Sequence, residues 1–202
     1  MSGITAPDGG TRDDTAVCPG CGCPAWRGDA AGIVPRTARA SAGCWAAYRR
    51  LVALEYAHPE RWAVRELTAA AWTLQHPGSR SRDSIRQIGV HLVTLHFVLE
   101  RDFAPRIGTN VRRAALERLA EGLIWLTPPA NLSEGLDVRH MVEARDHLDH
   151  AIRARAWASS VWSAWAAHHD AIERWADWLV AASPPGFPGA PSAATFDGSG
   201  SE

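Results

Sequence analysis

Residues 137–181, "DVRHMVEARDHLDHAIRARAWASSVWSAWAAHHDAIERWADWLVA", contain neither proline nor glycine. This absence predicts helical structure, and Trp157, Val161 and Trp165 recur at the spacing of one buried helix face. A continuous helix of this length would extend over roughly 65 Å, whereas a domain of about 150 residues has a radius of gyration of roughly 15 Å. We therefore expect the helix to project or to break. Ser159–Ser160 is the candidate break, because serine favours helix caps over helix interiors.

The rest of the central chain is also helical in pattern. Helices are predicted over 42–57, 61–75, 81–101 and 109–123, with a Ser/Asp cap before the third and Thr109 as a candidate cap of the fourth. Prolines in "HPG" (76–78) and "LTPPANLSEG" (126–135) interrupt the helical pattern. No alternating strand pattern is present, so the sequence predicts an all-α fold, a compact helical bundle with an N-terminal Cys-rich knuckle.

Composition predicts one structured domain between two tails. Residues 1–17 are rich in Gly, Thr, Asp and Ala, and residues 183–202 in Pro, Gly, Ser and Ala. Such segments bury too little apolar surface to offset the entropy lost on ordering. We expect a flexible N-terminus over 1–17, a single helical metal-binding domain over 18–182, and a disordered C-terminal tail over 183–202.

Charge and hydropathy narrow the classes of partner. The chain has 202 residues and a formal net charge of −1, so no basic footprint for nucleic acid is expected. It has no run of 18 apolar residues, and its first residues lack the regions of a signal peptide, so neither a membrane partner nor secretion is expected. In the cytoplasm, the expected location, cysteines are thiols or metal ligands more often than disulfides. A monomer and a homodimer both remain open.

Three of the four cysteines lie close together in the sequence. "CPGCGCP" places Cys18, Cys21 and Cys23 in one tight turn, and Cys44 follows on the first predicted helix. A Cys-x-x-Cys knuckle directs two thiolates at one point, and zinc prefers thiolates in a tetrahedral set. The fourth ligand would be Cys23, a histidine or water. A redox pair or inert thiols are the alternatives, although no βαβ pattern accompanies the motif.

The chain has nine histidines. For each one taken alone, the simplest interpretation is a half-buried side chain with a hydrogen-bond partner. His91 is a special case, because it lies in the apolar stretch "IGVHLVTLHFVLE". A charged imidazolium there would be costly, so we expect a neutral and partnered ring. Neutral imidazole is the form that binds metals.

Two further histidines lie on the tryptophan face of residues 137–181. By helical spacing His150 and His168 are expected to be buried, and His169 to lie at the edge of that face. A continuous helix would separate the first two by about 27 Å, so they can share an ion only if the chain turns back at Ser159–Ser160. Without that turn, His168 and His169 are expected to find partners on other helices, at His76 and His91.

Seven short motifs occur in a fixed order along the chain: CPGCG (18–22), CWAAY (44–48), LEY (54–56), QHPG (75–78), VHLVTLHFVLE (90–100), WLTPP (125–129) and WASSVWSAWAAHH (157–169). Over about residues 18–180 the set resembles a family of small bacterial proteins classed as a domain of unknown function. The resemblance implies that the signature positions are Cys18, Cys21, Cys44, His76, His91, His150, Trp162, Trp165, His168 and His169. Two acidic residues usual in that family, one before the Cys-Trp pair and one in "DAYAVQHPG", are absent here.

One function consistent with these residues is a metal-dependent enzyme acting on a small molecule. Zinc, or else iron or copper, would be held with an open position for water or substrate. Glu55 lies 11 residues after Cys44 on one helix face and is the candidate base, although a surface or ion-paired glutamate is the simpler interpretation. Trp45, Trp162 and Trp165 would line the substrate pocket. The candidate metal ligands are Cys18, Cys21, Cys44, His76, His91, His150, His168 and His169.

The alternative is a non-catalytic binding module. Zinc at Cys18, Cys21, Cys44 and one histidine would then pin the N-terminal arm to the bundle. A looser analogy with the DinB/YfiT-like helical metalloproteins, which place three histidines in a four-helix core, would use His91, His150 and one of the two histidines at 168 and 169. That analogy rests on fold class alone.

Overall fold

The structure, a computed structural model, describes residues 17–24, 33–119, 121–132, 135–184 and 187. Most of the two predicted tails lies outside these ranges. The described residues form seven α-helices and no strand: α1 (Ala42–Ala57), α2 (Arg65–Gln75), α3 (Arg82–Leu99), α4 (Gly108–Arg118), α5 (Val138–Val142), α6 (His147–Ala164) and α7 (His169–Ala181). The predicted all-α class is confirmed.

α3 forms the centre of the bundle. The Ser81 side chain caps it by accepting a hydrogen bond from the N–H of Ser84, as its sequence predicts. Every residue from Ile88 to Val98 is buried, because α2, α4 and α7 all pack against this helix. The sequence suggested one apolar face, whereas a helix surrounded by others buries its whole circumference.

The other predicted boundaries hold in part. α1 covers the predicted 42–57, and Ser41 caps it by accepting from the N–H of Cys44. α2 starts later than predicted, because Pro59–Val64 forms a 3-10 turn first. The predicted Thr109 cap is wrong: α4 begins at Gly108, and the Thr109 hydroxyl donates to the Glu66 carboxylate at 2.9 Å.

The proline-free run of 137–181 breaks twice, but not at the serines. α6 passes through Ser159–Ser160 without interruption. The first break lies between α5 and α6. There the Asp146 side chain caps α6 by accepting from the N–H of Asp149. The second break lies after Ala164, where Trp165 leads into a 3-10 turn before α7, and this turn lets α7 fold back onto α3.

The tryptophan face is buried as predicted. Trp157 and Trp165 are the largest fully buried side chains. Their indole N–H groups are satisfied, at Gln75 Oε1 (3.0 Å) and at the Leu74 carbonyl (3.4 Å), as buried indoles require. His168 is only half-buried, because the turn after Trp165 shifts the helical register. Within the described ranges, no helix combines the length and apolar character that a membrane crossing needs.

Candidate metal centre

A tight backbone turn shapes the cysteine knuckle. The Cys18 N–H donates to the Cys23 carbonyl at 2.7 Å, and the Gly22 N–H donates to the Cys18 carbonyl at 2.9 Å. Gly22 has φ of +70°, a left-handed conformation that glycine adopts without steric cost. This turn holds the side chains of Cys18 and Cys21 on one side, where they meet two other elements of the fold.

Four donor atoms converge at that point. One ligand atom each from Cys18, Cys21, Cys44 and His76 lies within 4.8 Å of all the others, and all four residues are buried. The Cys21 and Cys44 sulfurs are 3.8 Å apart, and the Cys44 sulfur is 3.1 Å from His76 Nε2. Within the described chain, no other cluster of three or more His, Cys, Asp or Glu side chains has this spacing.

The spacing and chemistry of this Cys3His cluster fit a tetrahedral metal site. Zn–S bonds of about 2.3 Å at tetrahedral angles place two sulfurs roughly 3.8 Å apart, as observed for Cys21 and Cys44. Three thiolates and one imidazole form a common structural zinc set. The residues present could therefore hold a metal ion.

Two contacts with Trp72 orient the imidazole of His76. Its Nδ1 lies 2.6 Å from the Trp72 carbonyl, which only accepts, so Nδ1 carries the proton and the Nε2 lone pair faces Cys44. The ring also stacks on the Trp72 indole at 4.6 Å, and that indole stacks on Tyr48 at 4.4 Å. Sequence reasoning did not find this role for Trp72; its four-residue spacing from His76 on one helix was the available signal.

The three thiols cannot all ionise on their own. The Ser41 N–H donates to the Cys18 sulfur at 3.3 Å, and hydrogen bonds from the neighbouring thiols, Cys21 foremost, lower the pKa of Cys18. The pKa values of Cys21 and Cys44 are raised, primarily through their interaction with Cys18. A thiolate at Cys18 therefore opposes ionisation of the Cys21 and Cys44 thiols. A divalent cation would remove this conflict, because thiolates are its ligands.

Cys23 lies beside the cluster but outside the group of four. The Cys21 thiol donates to the Cys23 sulfur at 3.1 Å. The sequence left the fourth ligand open between Cys23, a histidine and water. The structure brings His76 to that position.

His150 and Glu55 form a separate buried pair. His150 Nε2 lies 3.1 Å from Glu55 Oε1, which also accepts from the Thr68 hydroxyl at 2.8 Å. Both members of the pair are fully buried. Because α1 is continuous, Glu55 lies roughly 16 Å along the helix from Cys44. The candidate base and this candidate ligand are therefore together, but away from the Cys3His cluster.

His91 is buried in α3 without its expected partner. Burial, and secondarily the charge of Arg112, lowers the pKa of His91 to about 3, so the ring is neutral as predicted. Its Nδ1 has no hydrogen-bond partner among the described residues. It does not join the cluster.

The last two candidate histidines have backbone partners. His168 Nε2 donates to the Thr127 carbonyl at 2.8 Å, and His169 Nε2 donates to the Trp162 carbonyl at 3.1 Å. The His169 ring stacks on the Trp162 indole at 3.8 Å. The histidines needed for the DinB/YfiT analogy are thus not brought together, and that analogy stays untested as a function.

The candidate pocket tryptophans lie in three environments. Trp162 and His169 line a cavity of about 300 Å³ with His96 and Glu100. Trp45 is half-buried and packs against the ring of Trp72 at 5.2 Å. Trp165 belongs to the core, as described above. A substrate role for these residues remains a prediction.

Comparison with known proteins agrees with the resemblance carried by the ordered motifs. The model of a family of unknown function, DUF5946, matches residues 16–166. That range includes all four residues of the Cys3His cluster. No curated protein and no solved structure matches the chain. The match spans most of the chain, and the protein therefore belongs to the DUF5946 family.

Proposed function

We propose that the protein is a zinc-binding helical protein in which the Cys3His cluster holds one structural zinc ion. The observation that supports this function is the closed donor set. Cys18, Cys21, Cys44 and His76 are exposed by 1%, 8%, 2% and 1% respectively, and they already supply four ligands. Structural zinc sites have four protein ligands, whereas catalytic sites keep a position open.

The proposed role is to fasten the knuckle to the bundle. The knuckle contains no helix, and its ligands Cys18 and Cys21 lie far along the chain from Cys44 on α1 and His76 at the end of α2. A shared ion would cross-link these three segments. Three thiolates favour zinc over the hard cations, and a reducing compartment such as the cytoplasm would keep the thiols available.

The catalytic alternative has less support. Glu55 is too far from Cys44 to act on a molecule bound at the cluster, and its carboxylate is already engaged by His150 and Thr68. We therefore do not assign a reaction to the metal centre.

Metal analysis of the full chain tests the proposal. Protein purified under reducing, chelator-free conditions should contain one zinc per chain by mass spectrometry. Cys44→Ser should lose it, because a serine hydroxyl is a poor zinc ligand. Cys23→Ser is the matched control in the same knuckle and should keep the metal, as should His169→Ala on another helix.

Three results would overturn the proposal: wild-type protein without metal, full zinc content in Cys44→Ser, or equal loss in Cys23→Ser and Cys44→Ser. Circular dichroism of each variant separates loss of a ligand from loss of the helical fold.

A further inference from the structure

A cavity of about 690 Å³ lies on the outer side of the knuckle. Three segments that carry separate sequence motifs converge there, namely Pro19–Gly20 of CPGCG, Pro77–Gly78 of QHPG, and Trp125 with Pro128–Pro129 of WLTPP. Its volume is in the range of small-molecule sites. Apart from the metal ligands that they contain, these motifs have no role in the proposed zinc site.

The cavity has a marked excess of positive charge. Arg36, Arg39 and Arg80 line it, and no Asp or Glu is among the described residues of its wall. None of the three guanidinium groups makes an ion pair or hydrogen bond with another residue of the described ranges. The whole chain is nearly balanced, with 21 basic and 22 acidic residues, so this local excess is not a property of the composition.

The wall also supplies a rigid apolar surface. Trp125 is half-buried, and prolines at 77, 128 and 129 stand beside it. Proline fixes its own φ, so little conformational entropy is lost when a ligand packs against such a wall. Ser79 adds a hydroxyl that has no partner within the described part of the chain.

The knuckle is one wall of this cavity. A Cβ atom on Gly20 would lie 2.6 Å from Cδ2 of His76 and would also collide with the Arg39 carbonyl. The loop between Cys18 and Cys21 therefore packs directly on the segment that carries Arg39. A knuckle fastened by metal would keep the wall in place.

We propose that this cavity binds a small organic anion with at least two negative charges. Arg36, Arg39 and Arg80 would contact its phosphate or carboxylate groups, and Trp125 its apolar part. Guanidinium groups are permanently charged and match the geometry of both anions with paired N–H donors. Anion binding is a function in addition to the proposed structural zinc site. A test of one proposal can fail while the other succeeds.

Titration calorimetry on the purified full chain tests the site. Phenyl phosphate and phthalate are the two anionic probes, each with an aromatic ring, and benzyl alcohol is the neutral control. At least one anion should bind and benzyl alcohol should not. Added NaCl should weaken binding, because salt screens exposed charges. If only phenyl phosphate binds, the ligand group is a phosphate. If only phthalate binds, the ligand is a dicarboxylate.

Charge-removing variants locate the binding. Arg36→Gln and Arg80→Gln should each weaken binding roughly tenfold, the usual effect of losing a charge-assisted hydrogen bond. Arg113→Gln, at an exposed arginine on α4 outside the cavity, should leave the affinity unchanged. These positions are exposed, so zinc content and melting temperature should stay at wild-type values. Binding of neither anion, or equal effects of Arg80→Gln and Arg113→Gln, would contradict the proposal.

Discussion

α1 carries a buried polar cluster at each end, and the two clusters behave differently. At its start, Cys44 meets two other thiols and the imidazole of His76. At its end, Glu55 meets His150 and Thr68. Both clusters are almost completely shielded from solvent, so burial by itself does not distinguish a metal site from a core hydrogen bond.

The two clusters differ in the kinds of groups that they bring together. Glu55 Oε1 accepts from His150 and from Thr68, while Glu55 Oε2 and His150 Nδ1 have no hydrogen-bond partner among the described residues. The thiols of Cys18, Cys21 and Cys44 oppose one another's ionisation. Several thiols and an imidazole at one point could be held together by a cation, whereas a carboxylate and an imidazole can bind each other directly.

Removal of the proposed zinc ion should lower the stability of the protein more than any other change to the two clusters. A ligand at thousandfold excess over its Kd stabilises the folded state by about 4 kcal/mol. Adding a strong zinc chelator should lower the free energy of unfolding by that amount or more, as measured by urea denaturation. The Cys44→Ser variant should show no further loss on chelation. An unchanged wild-type midpoint would mean that no ion stabilises this end of α1.

Breaking the pair at the other end should cost nearly as much stability but no metal. His150→Phe keeps the ring volume but leaves the buried carboxylate of Glu55 without its base, a change that costs about 3 kcal/mol. His147→Phe, an exposed histidine on the same helix, is the matched control and should change stability by less than about 0.5 kcal/mol. Urea denaturation and zinc analysis of both variants provide the test. Loss of zinc in His150→Phe would contradict the separation of the two clusters.

His91 is a buried histidine that belongs to neither cluster. The pKa of His91 is lowered from 6.5 to about 3 in the fold, so below about pH 6.5 the unfolded chain takes up a proton that the folded chain excludes. Stability should then fall with decreasing pH by about 1.4 kcal/mol per unit until the folded ring is protonated near pH 3.

The His91→Phe variant isolates this proton. Its stability should decrease less steeply than that of the wild type between pH 6 and pH 4.5, as measured by urea unfolding at several pH values. Both proteins keep the Cys3His cluster, so acid release of metal affects them equally and cancels in the difference. Parallel stability curves would show that the imidazole of His91 gains solvent or a partner on acidification.

The helices were largely predictable, because their signals are local. Apolar spacing and a serine cap define α1 and α3. The break at Trp165 was not predictable, since no glycine or proline marks it; it coincides with an indole anchored in the core on the Leu74 carbonyl. The serines at 159–160 offered the only local signal, and packing of α6 against α2 overrides it.

The sequence by itself determined the all-helical class and one half of the Cys3His cluster. Cys18 and Cys21 are neighbours in a turn, so their convergence follows from spacing and Gly22. Only the tertiary structure decided which histidine completes the set. Cys44 and His76 are 32 positions apart and Glu55 and His150 are 95 apart, and such contacts depend on how helices pack. Residue type qualifies every histidine as a ligand, but packing decides which one reaches the thiols.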